Sequence, residues 1–95
     1  MAHFVYILAN KPHGAIYIGA TSDLKTRIAQ HRNFRGVSHT NRYSIKTLVY
    51  FEQHEHLQDA LVREQRLKRW RRVWKDQLIA ENNPHWQDIS GLVPI

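Results

Sequence analysis

The sequence predicts an α+β fold in which helices flank a three-stranded antiparallel sheet. Three observations support this prediction: a hairpin pattern near the amino terminus, a third β-rich run in the middle, and helical periodicity elsewhere. A chain of 95 residues has room for one compact domain. We therefore expect a single domain over residues 1–95, with a core at about 4–75 and a C-terminal helix and tail at 76–95.

The three strands are indicated by composition. His3 to Ala9 is rich in β-branched and aromatic residues, Asn10 to Gly14 supplies turn formers, and Ala15 to Gly19 is β-like again. Leu48 to Phe51 gives the third strand. The first two runs together predict a hairpin.

The register of this hairpin determines which side chains share a face. If Leu8 pairs with Ala15, Tyr6 lies opposite Tyr17. The other face is then lined by Val5, Ile7, Ile16 and Ile18. In isolation, paired tyrosines in a hairpin are most often simple cross-strand packing.

A first helix is predicted from about Asp23 to Asn33, because Thr21-Ser22-Asp23 is a run of N-cap residues before an apolar helical pattern. Arg27 and His31 are one turn apart and share a face near the edge of the core. Such a pair is, by itself, more often a solvated helix face. The polar, basic residues 35–44 then predict a loop over the face that carries this pair.

Two more helices are predicted after the third strand. One runs from near Leu57 to about Arg72, and the next from Val73 to Glu81, where Asn82-Asn83-Pro84 ends it. In the tail, Trp86 is expected to dock on the core.

Glu64 lies inside the apolar stripe of the second of these helices. The stripe consists of Leu57, Ala60, Leu61 and Leu67. A carboxylate that faces inward usually pairs, binds a metal or takes up a proton, because its burial alone is costly. A structural ion pair with Arg27 or Lys68 is therefore one alternative, and metal binding is the other.

Composition limits the class of protein. The formal net charge is +6, and half of the 14 Lys and Arg residues fall between Arg63 and Lys75, which favours a polyanionic partner. An anionic membrane or a merely solubilising surface fits the same charge.

No apolar run is long enough to span a membrane and no secretory signal opens the chain. Because there is no cysteine, disulfides and thiolate sites are excluded, and we expect a cytoplasmic protein. His54 and His56 lie two residues apart, and no third ligand stands at the spacing of a zinc site. A structural zinc site is therefore not predicted.

At these residues the chain resembles the GIY-YIG endonuclease superfamily, and specifically its small bacterial stand-alone members, over about Phe4 to Lys75. Phe4-Val5-Tyr6 occupies the place of the first signature tripeptide, of which only the tyrosine is kept, and Tyr17-Ile18-Gly19 is the second in full. The family's other catalytic positions are occupied by Arg27, His31 and Glu64. Two positions depart from the pattern: Ala20 replaces a lysine of some members, and Asp76 stands near a position often held by Asn.

The resemblance implies a metal-dependent endonuclease that hydrolyses phosphodiester bonds in DNA, with a role in repair or nucleic-acid processing. Tyr6 would be the base, Tyr17 and His31 would hold or polarise it, and Arg27 would bind a phosphate oxygen. One divalent ion, Mg²⁺ or Mn²⁺, would be held by Glu64.

No small-molecule cofactor and no membrane partner is expected, while RNA as substrate and the oligomeric state are left open. The first alternative is a catalytically weak or inactive nucleic-acid-binding module with the same fold. A second alternative is a protein-interaction or membrane-surface domain, which would neither bind metal nor cleave.

Cations outside the catalytic set are candidates for binding nucleic acid. They are Arg35, Arg42, Lys46, Arg66, Lys68, Arg69, Arg71 and Arg72. Trp70 and Trp74 are interleaved with them and, given their size and helical spacing, are predicted to be core anchors. The alternative is an exposed indole that stacks on a splayed base.

Overall fold

A three-stranded antiparallel sheet in the order β2-β1-β3 forms the centre of the computed structural model, which describes residues 2–33 and 44–94. The strands are β1 at His3–Ala9, β2 at Ile16–Thr21 and β3 at Thr47–His54. Helices lie on both faces of this sheet, so the predicted α+β fold is confirmed.

The hairpin of β1 and β2 is shifted by two residues from the predicted register. Tyr6 pairs with Gly19, and Leu8 pairs with Tyr17, so the prediction that the two tyrosines lie directly opposite each other is wrong. Because the shift is an even number of residues, every side chain keeps its predicted face. The two tyrosines are therefore diagonal neighbours on one face, and Gly19 is the residue across from Tyr6.

The hairpin loop explains this shift. The side-chain Oδ1 of Asn10 accepts a hydrogen bond from the backbone N–H of Ala15 at 2.9 Å, and the Asn10 N–H donates to the Ala15 carbonyl at 3.1 Å. A Cβ at Gly14 would lie 2.1 Å from that same Oδ1. Asn10 and Ala15 thus close the loop, and a glycine is needed inside it.

Three α-helices follow the predicted order. They are α1 at Leu24–Asn33, α2 at Leu57–Arg69 and α3 at Arg72–Asn82, and a short 3-10 helix follows at Ser90–Leu92. The predicted N-cap of α1 is confirmed, because Oδ1 of Asp23 accepts a hydrogen bond from the N–H of Thr26 at 3.2 Å.

The end of α2 differs from the prediction by three residues. The chain leaves the helical conformation at Trp70, where ψ is 151°, and the Trp70 side chain packs against the core. Leu57 and Leu61 are 54% and 38% exposed, although they were assigned to the apolar stripe, because α2 meets the sheet through Ala60 and Leu67. The prediction that both tryptophans are core anchors is wrong for Trp74, which is 47% exposed.

Each face of the sheet carries its own core. Helices α2 and α3 cover the face that holds Val5 and Ile7, whereas α1 covers the face that holds Tyr6 and Leu8. The prediction that Val5, Ile7, Ile16 and Ile18 line one face of the hairpin is confirmed by this arrangement. The catalytic candidates of β1 and β2 thus lie on the α1 side.

The C-terminal tail closes the core. Trp86 is 3% exposed, as predicted, and packs with the residues beneath α2 and α3. The buried amide of Asn83 donates to the carbonyls of Val49 and Gln87, at 3.1 and 2.8 Å. Asn83 therefore fixes the turn that follows α3.

Part of the predicted site lies outside the described residues. Arg35, Arg42 and most of the loop predicted at 35–44 fall in the segment 34–43. Among the helices in the remaining chain, none is long and apolar enough to cross a bilayer.

Candidate active site

The second signature tripeptide places its glycine directly under the ring of Tyr6. A Cβ at Gly19 would lie 2.6 Å from the Tyr6 hydroxyl oxygen and 2.7 Å from the adjacent ring carbon. Any larger side chain would displace the ring, because no real Cβ is accommodated at such distances. Gly19 thus lets the Tyr6 side chain lie across the edge strand β2 with its hydroxyl at the strand.

Tyr6, Tyr17 and His31 form one cluster on the α1 side of the sheet. The Tyr6 hydroxyl oxygen is 3.1 Å from Nε2 of His31. The ring centroids of Tyr17 and His31 are 5.0 Å apart, and those of the two tyrosines are 6.3 Å apart. The helix α1 presents His31 to both strands, so the three residues that the sequence places far apart meet here.

The protonation states within this cluster are set by burial. Burial, reinforced by Tyr17 and by the charge of Glu64, raises the pKa of Tyr6 above its usual value although Arg27 acts to lower it. Burial and the charge of Arg27 lower the pKa of His31 below 6.5. At neutral pH the phenol therefore keeps its proton beside a neutral imidazole, and the tautomer of His31 decides which of the two groups donates the hydrogen bond.

Arg27 and Glu64 both act electrostatically on the Tyr6 phenol. The charge of Arg27 lowers the Tyr6 pKa and that of Glu64 raises it, so both groups lie within electrostatic range of the phenol. The Glu64 side chain is 18% exposed and forms a long ion pair with Lys68, 3.7 Å from Nζ to Oε1. The predicted ion-pair alternative is thus present in part.

The donor set fits a single hydrated cation held by one carboxylate. Within residues 2–33 and 44–94 no group of three or more His, Cys, Asp or Glu side chains is arranged around a common point. Mg²⁺ commonly binds through one or two carboxylates and substrate phosphate, and keeps several waters. Glu64, the carboxylate whose charge acts on the Tyr6 pKa, is the residue that would hold such an ion.

A shallow groove continues from Tyr17 between β2 and the two C-terminal helices. It has a volume of about 250 Å³ and is lined by Ile16, Tyr17, Ile18, Lys68 and Lys75. The ammonium of Lys75 donates to the backbone carbonyl of Lys68 at 3.1 Å, and burial together with the charge of Arg72 lowers its pKa. Lys75 was not among the predicted nucleic-acid-binding residues, although it ends the basic segment from Arg63 to Lys75 that the sequence shows.

The remaining predicted cations have different surroundings. The guanidinium of Arg72 donates to Asp76 at 2.7 Å and also bonds the carbonyl of Gly14, so it holds the hairpin loop. Arg66, Arg69 and Arg71 are exposed, and Lys46 is half-buried. Their binding of nucleic acid stays a prediction.

A second polar cluster lies at the opposite edge of the sheet. The carboxylate of Glu52 accepts hydrogen bonds from the Tyr50 hydroxyl at 2.5 Å and from Nε of Arg63 at 3.0 Å, and it lies 2.6 Å from Nε2 of His54. Burial acts to raise the pKa of Glu52, but these hydrogen bonds outweigh it and hold the pKa below its usual value. Burial and the bond to Glu52 raise the pKa of Tyr50 to about 12.

Comparison with known proteins gives consistent matches. A sequence model described as the GIY-YIG catalytic domain matches residues 2–77. A UPF0213 protein of Staphylococcus saprophyticus is 35% identical over 79 residues, which are 83% of this chain and 95% of that protein. A UPF0213 protein of Staphylococcus aureus strain Mu3 is 35% identical over 80 residues, covering 84% of this chain and 96% of that protein.

A solved structure gives the same result for the fold. The solution NMR structure of a UPF0213 protein from Bacillus halodurans superimposes with a TM-score of 0.57, at 26% identity, and the match covers 100% of both chains. These bacterial relatives are matched over nearly their whole length, so the resemblance to small stand-alone members is confirmed. The chain belongs to the GIY-YIG catalytic domain family.

Proposed function

We propose that this protein is a metal-dependent endonuclease that hydrolyses phosphodiester bonds in DNA. The observation that carries the proposal is the hydrogen bond between Tyr6 and a neutral His31, with Arg27 and Glu64 close to the same phenol. Family membership supports nuclease chemistry in general. The metal requirement, the preference for DNA and the roles of the individual residues belong to this proposal.

Proton transfer is the first requirement of the reaction. A free tyrosine has a pKa near 10, and burial raises that of Tyr6 further, so a phenolate formed in advance is not the base. Instead, Tyr6 takes the proton of the attacking water while its own proton passes to Nε2 of His31. The net transfer is from water to a neutral imidazole, whose ordinary pKa of 6.5 is close to neutrality.

Charge stabilisation is the second requirement. Arg27 keeps its proton and offers a planar set of donors to the non-bridging oxygens as negative charge accumulates on the phosphorus group. A divalent ion held by Glu64 supplies positive charge at the departing oxygen when it is bound. The P–O bond to the leaving nucleotide then breaks, and that oxygen takes its proton from solvent.

The direct test is incubation of the pure protein with supercoiled plasmid and with single-stranded DNA, in Mg²⁺ or Mn²⁺. Cleavage by the native protein is expected, and it should be abolished in Glu64→Ala. Cutting that persists unchanged in this variant would contradict the role given to Glu64, and absence of cutting by the native protein in both metals would contradict the proposal.

One observation favours a second candidate, a nucleic-acid-binding module with weak or no catalysis. Ala20 leaves β2 without the lysine of some family members, and the pKa of Tyr6 is raised, so forming a phenolate there is unfavourable. Binding that weakens steeply with salt, together with no cleavage in any metal, would select this candidate.

The cytoplasmic location and the role in repair or nucleic-acid processing are part of the leading proposal.

A further inference from the structure

The junction of α2 and α3 presents a pair of tryptophans that the proposed catalytic site does not use. The rings of Trp70 and Trp74 are 6.2 Å apart at an interplanar angle of 87°. Trp70 packs partly against the core, whereas nearly half of the Trp74 surface is exposed. Trp70 thus supports the second indole from below and leaves it available to a ligand.

A groove lies alongside this pair. Its volume of about 390 Å³ falls within the range of roughly 300–1,000 Å³ that is usual for small-ligand sites. The lining residues are Trp70, Trp74, Gln77, Leu78 and Glu81. Two indoles and a leucine provide apolar surface for a flat ring, and the Gln77 amide offers both a donor and an acceptor to its edge.

Cations accompany both indoles. The guanidinium carbon of Arg63 is 5.1 Å from the centroid of Trp70, and that of Arg71 is 5.6 Å from the centroid of Trp74. A flat ring attached to a negatively charged backbone matches aromatic surface rimmed by arginine. A nucleobase in a single strand has this chemistry, whereas a base inside a duplex has both its faces already stacked.

The aromatic groove and the groove at Tyr17 lie on different faces of α3. Lys75 directly follows Trp74, and it lines the groove that begins at Tyr17 together with Lys68. Consecutive residues of a helix point about 100° apart, and the two grooves share no lining residue. A strand bound at Lys68 and Lys75 therefore reaches Trp74 by passing around α3.

We propose that Trp74 stacks on an unpaired nucleobase of a bound strand, so that the protein selects DNA with a single-stranded segment, such as a flap, an overhang or a free single strand. That this strand is also the nuclease substrate rests on the proposed nuclease function. The binding of an unpaired base at Trp74 can be measured without cleavage.

The test compares Trp74→Ala and Trp74→Phe with Val73→Ala, a matched control because Val73 is an exposed apolar neighbour on the same helix. Each variant is titrated in metal-free buffer against fluorescently labelled oligothymidine of about 12 nucleotides and against a blunt duplex of the same length. Trp74→Ala should weaken single-strand binding by about 5- to 100-fold and duplex binding by less than about twofold. Trp74→Phe should keep most of the affinity, and Val73→Ala should match the native protein.

Two further readouts separate stacking from a general structural effect. Trp74→Ala should leave the slope of log affinity against log salt unchanged, whereas Lys75→Gln should reduce it by about 0.7 on a single strand. Single-stranded DNA should also quench the native tryptophan fluorescence, and this quenching should be largely lost in Trp74→Phe although binding persists.

Equal losses on single strand and duplex, or no loss in Trp74→Ala, would overturn the proposal. A Trp74→Ala variant that binds DNA normally but changes its oligomeric state in sedimentation would instead assign the groove to a protein contact. The nuclease proposal can fail independently of this inference. If the protein does not cleave DNA but still binds single strands through Trp74, the nuclease proposal is contradicted and the proposed stacking at Trp74 is retained.

Discussion

At the β2 edge of the sheet a tyrosine and a histidine are hydrogen-bonded while an arginine and a glutamate act on the tyrosine pKa, and at the β3 edge the same four residue types are joined by direct contacts. The β2 cluster consists of Tyr6, His31, Glu64 and Arg27, and Tyr17 joins it. The β3 cluster consists of Tyr50, His54, Glu52 and Arg63. The two clusters share their residue types but differ in the contacts that their side chains make.

The difference lies in what the carboxylate contacts. Glu52 has short contacts with a phenol, an imidazole and a guanidinium, so its oxygens are already engaged. Glu64 has a long ion pair with Lys68 at 3.7 Å, and the phenol of its cluster is bonded to histidine instead. The β3 cluster is therefore a closed network that joins β3 to α2, whereas the carboxylate of the β2 cluster has only a long contact with a lysine.

The largest expected effect comes from removing the two tyrosine hydroxyls in turn. Tyr6→Phe should reduce cleavage by about 10²- to 10⁴-fold, because it removes the group that receives the proton from water. Tyr50→Phe should leave cleavage unchanged and lower the free energy of unfolding by about 1 kcal/mol, because it removes a hydrogen bond to Glu52. Plasmid cleavage gives the activity of both variants, and urea denaturation gives their free energies of unfolding. Equal loss of activity in both variants would contradict the different roles given to the two clusters.

The two glutamates provide the second comparison. Glu64→Gln should reduce cleavage by about 100-fold or more, because a bound cation contributes several kcal/mol to the transition state. Glu52→Gln should instead destabilise the fold by about 1–3 kcal/mol, because Arg63 loses its counter-charge in a largely buried network. Cleavage rates at several Mg²⁺ concentrations, paired with unfolding curves, check both variants. Activity that survives in Glu64→Gln would remove the metal from the proposal.

The glycines allow a smaller, geometric test of the β2 cluster. Gly19→Ala should displace the Tyr6 ring, lower stability by about 1–3 kcal/mol and reduce cleavage, because the new Cβ would lie 2.6 Å from the Tyr6 hydroxyl. Gly91→Ala is the control, since a Cβ there meets nothing within 4 Å. If Gly19→Ala retains native cleavage and stability, the contact between Gly19 and Tyr6 does not position the phenol.

The smallest expected effect is a separation of the two clusters by pH. His31 must be neutral to accept a proton, and its pKa lies below 6.5, so cleavage should fall only as the pH drops through that lowered value. Glu52 has a pKa below 4.5 in the folded protein, so its stabilising contribution is complete above about pH 4.5 and is lost as the pH falls through the folded pKa. The pH profile of the cleavage rate and the stability difference between the native protein and Glu52→Gln measure the two effects. An acid limb of cleavage above pH 6.5 would exclude His31 as the acceptor.

Much of the fold could be predicted because its signals are local. The N-cap Asp23, the end of α3 at Asn82 and the inner face of the hairpin follow from residues that act on their immediate neighbours. The hairpin register could not be predicted in the same way, since it depends on how Asn10 closes the loop with Ala15. The exposure of Trp74 depends likewise on where α2 ends, and no Gly or Pro marks that position.

The sequence identifies the residues of the candidate site, but it does not determine their contacts or their pKa values. Tyr6, Tyr17, Arg27, His31 and Glu64 are identified by residue type, order and resemblance, which are properties of the chain itself. Tertiary structure decided that Tyr6 lies over Gly19, that burial raises the pKa of Tyr6, and that burial with Arg27 lowers the pKa of His31. The physical reason is that a pKa depends on desolvation and on charges brought from distant parts of the chain, and only packing determines either of them.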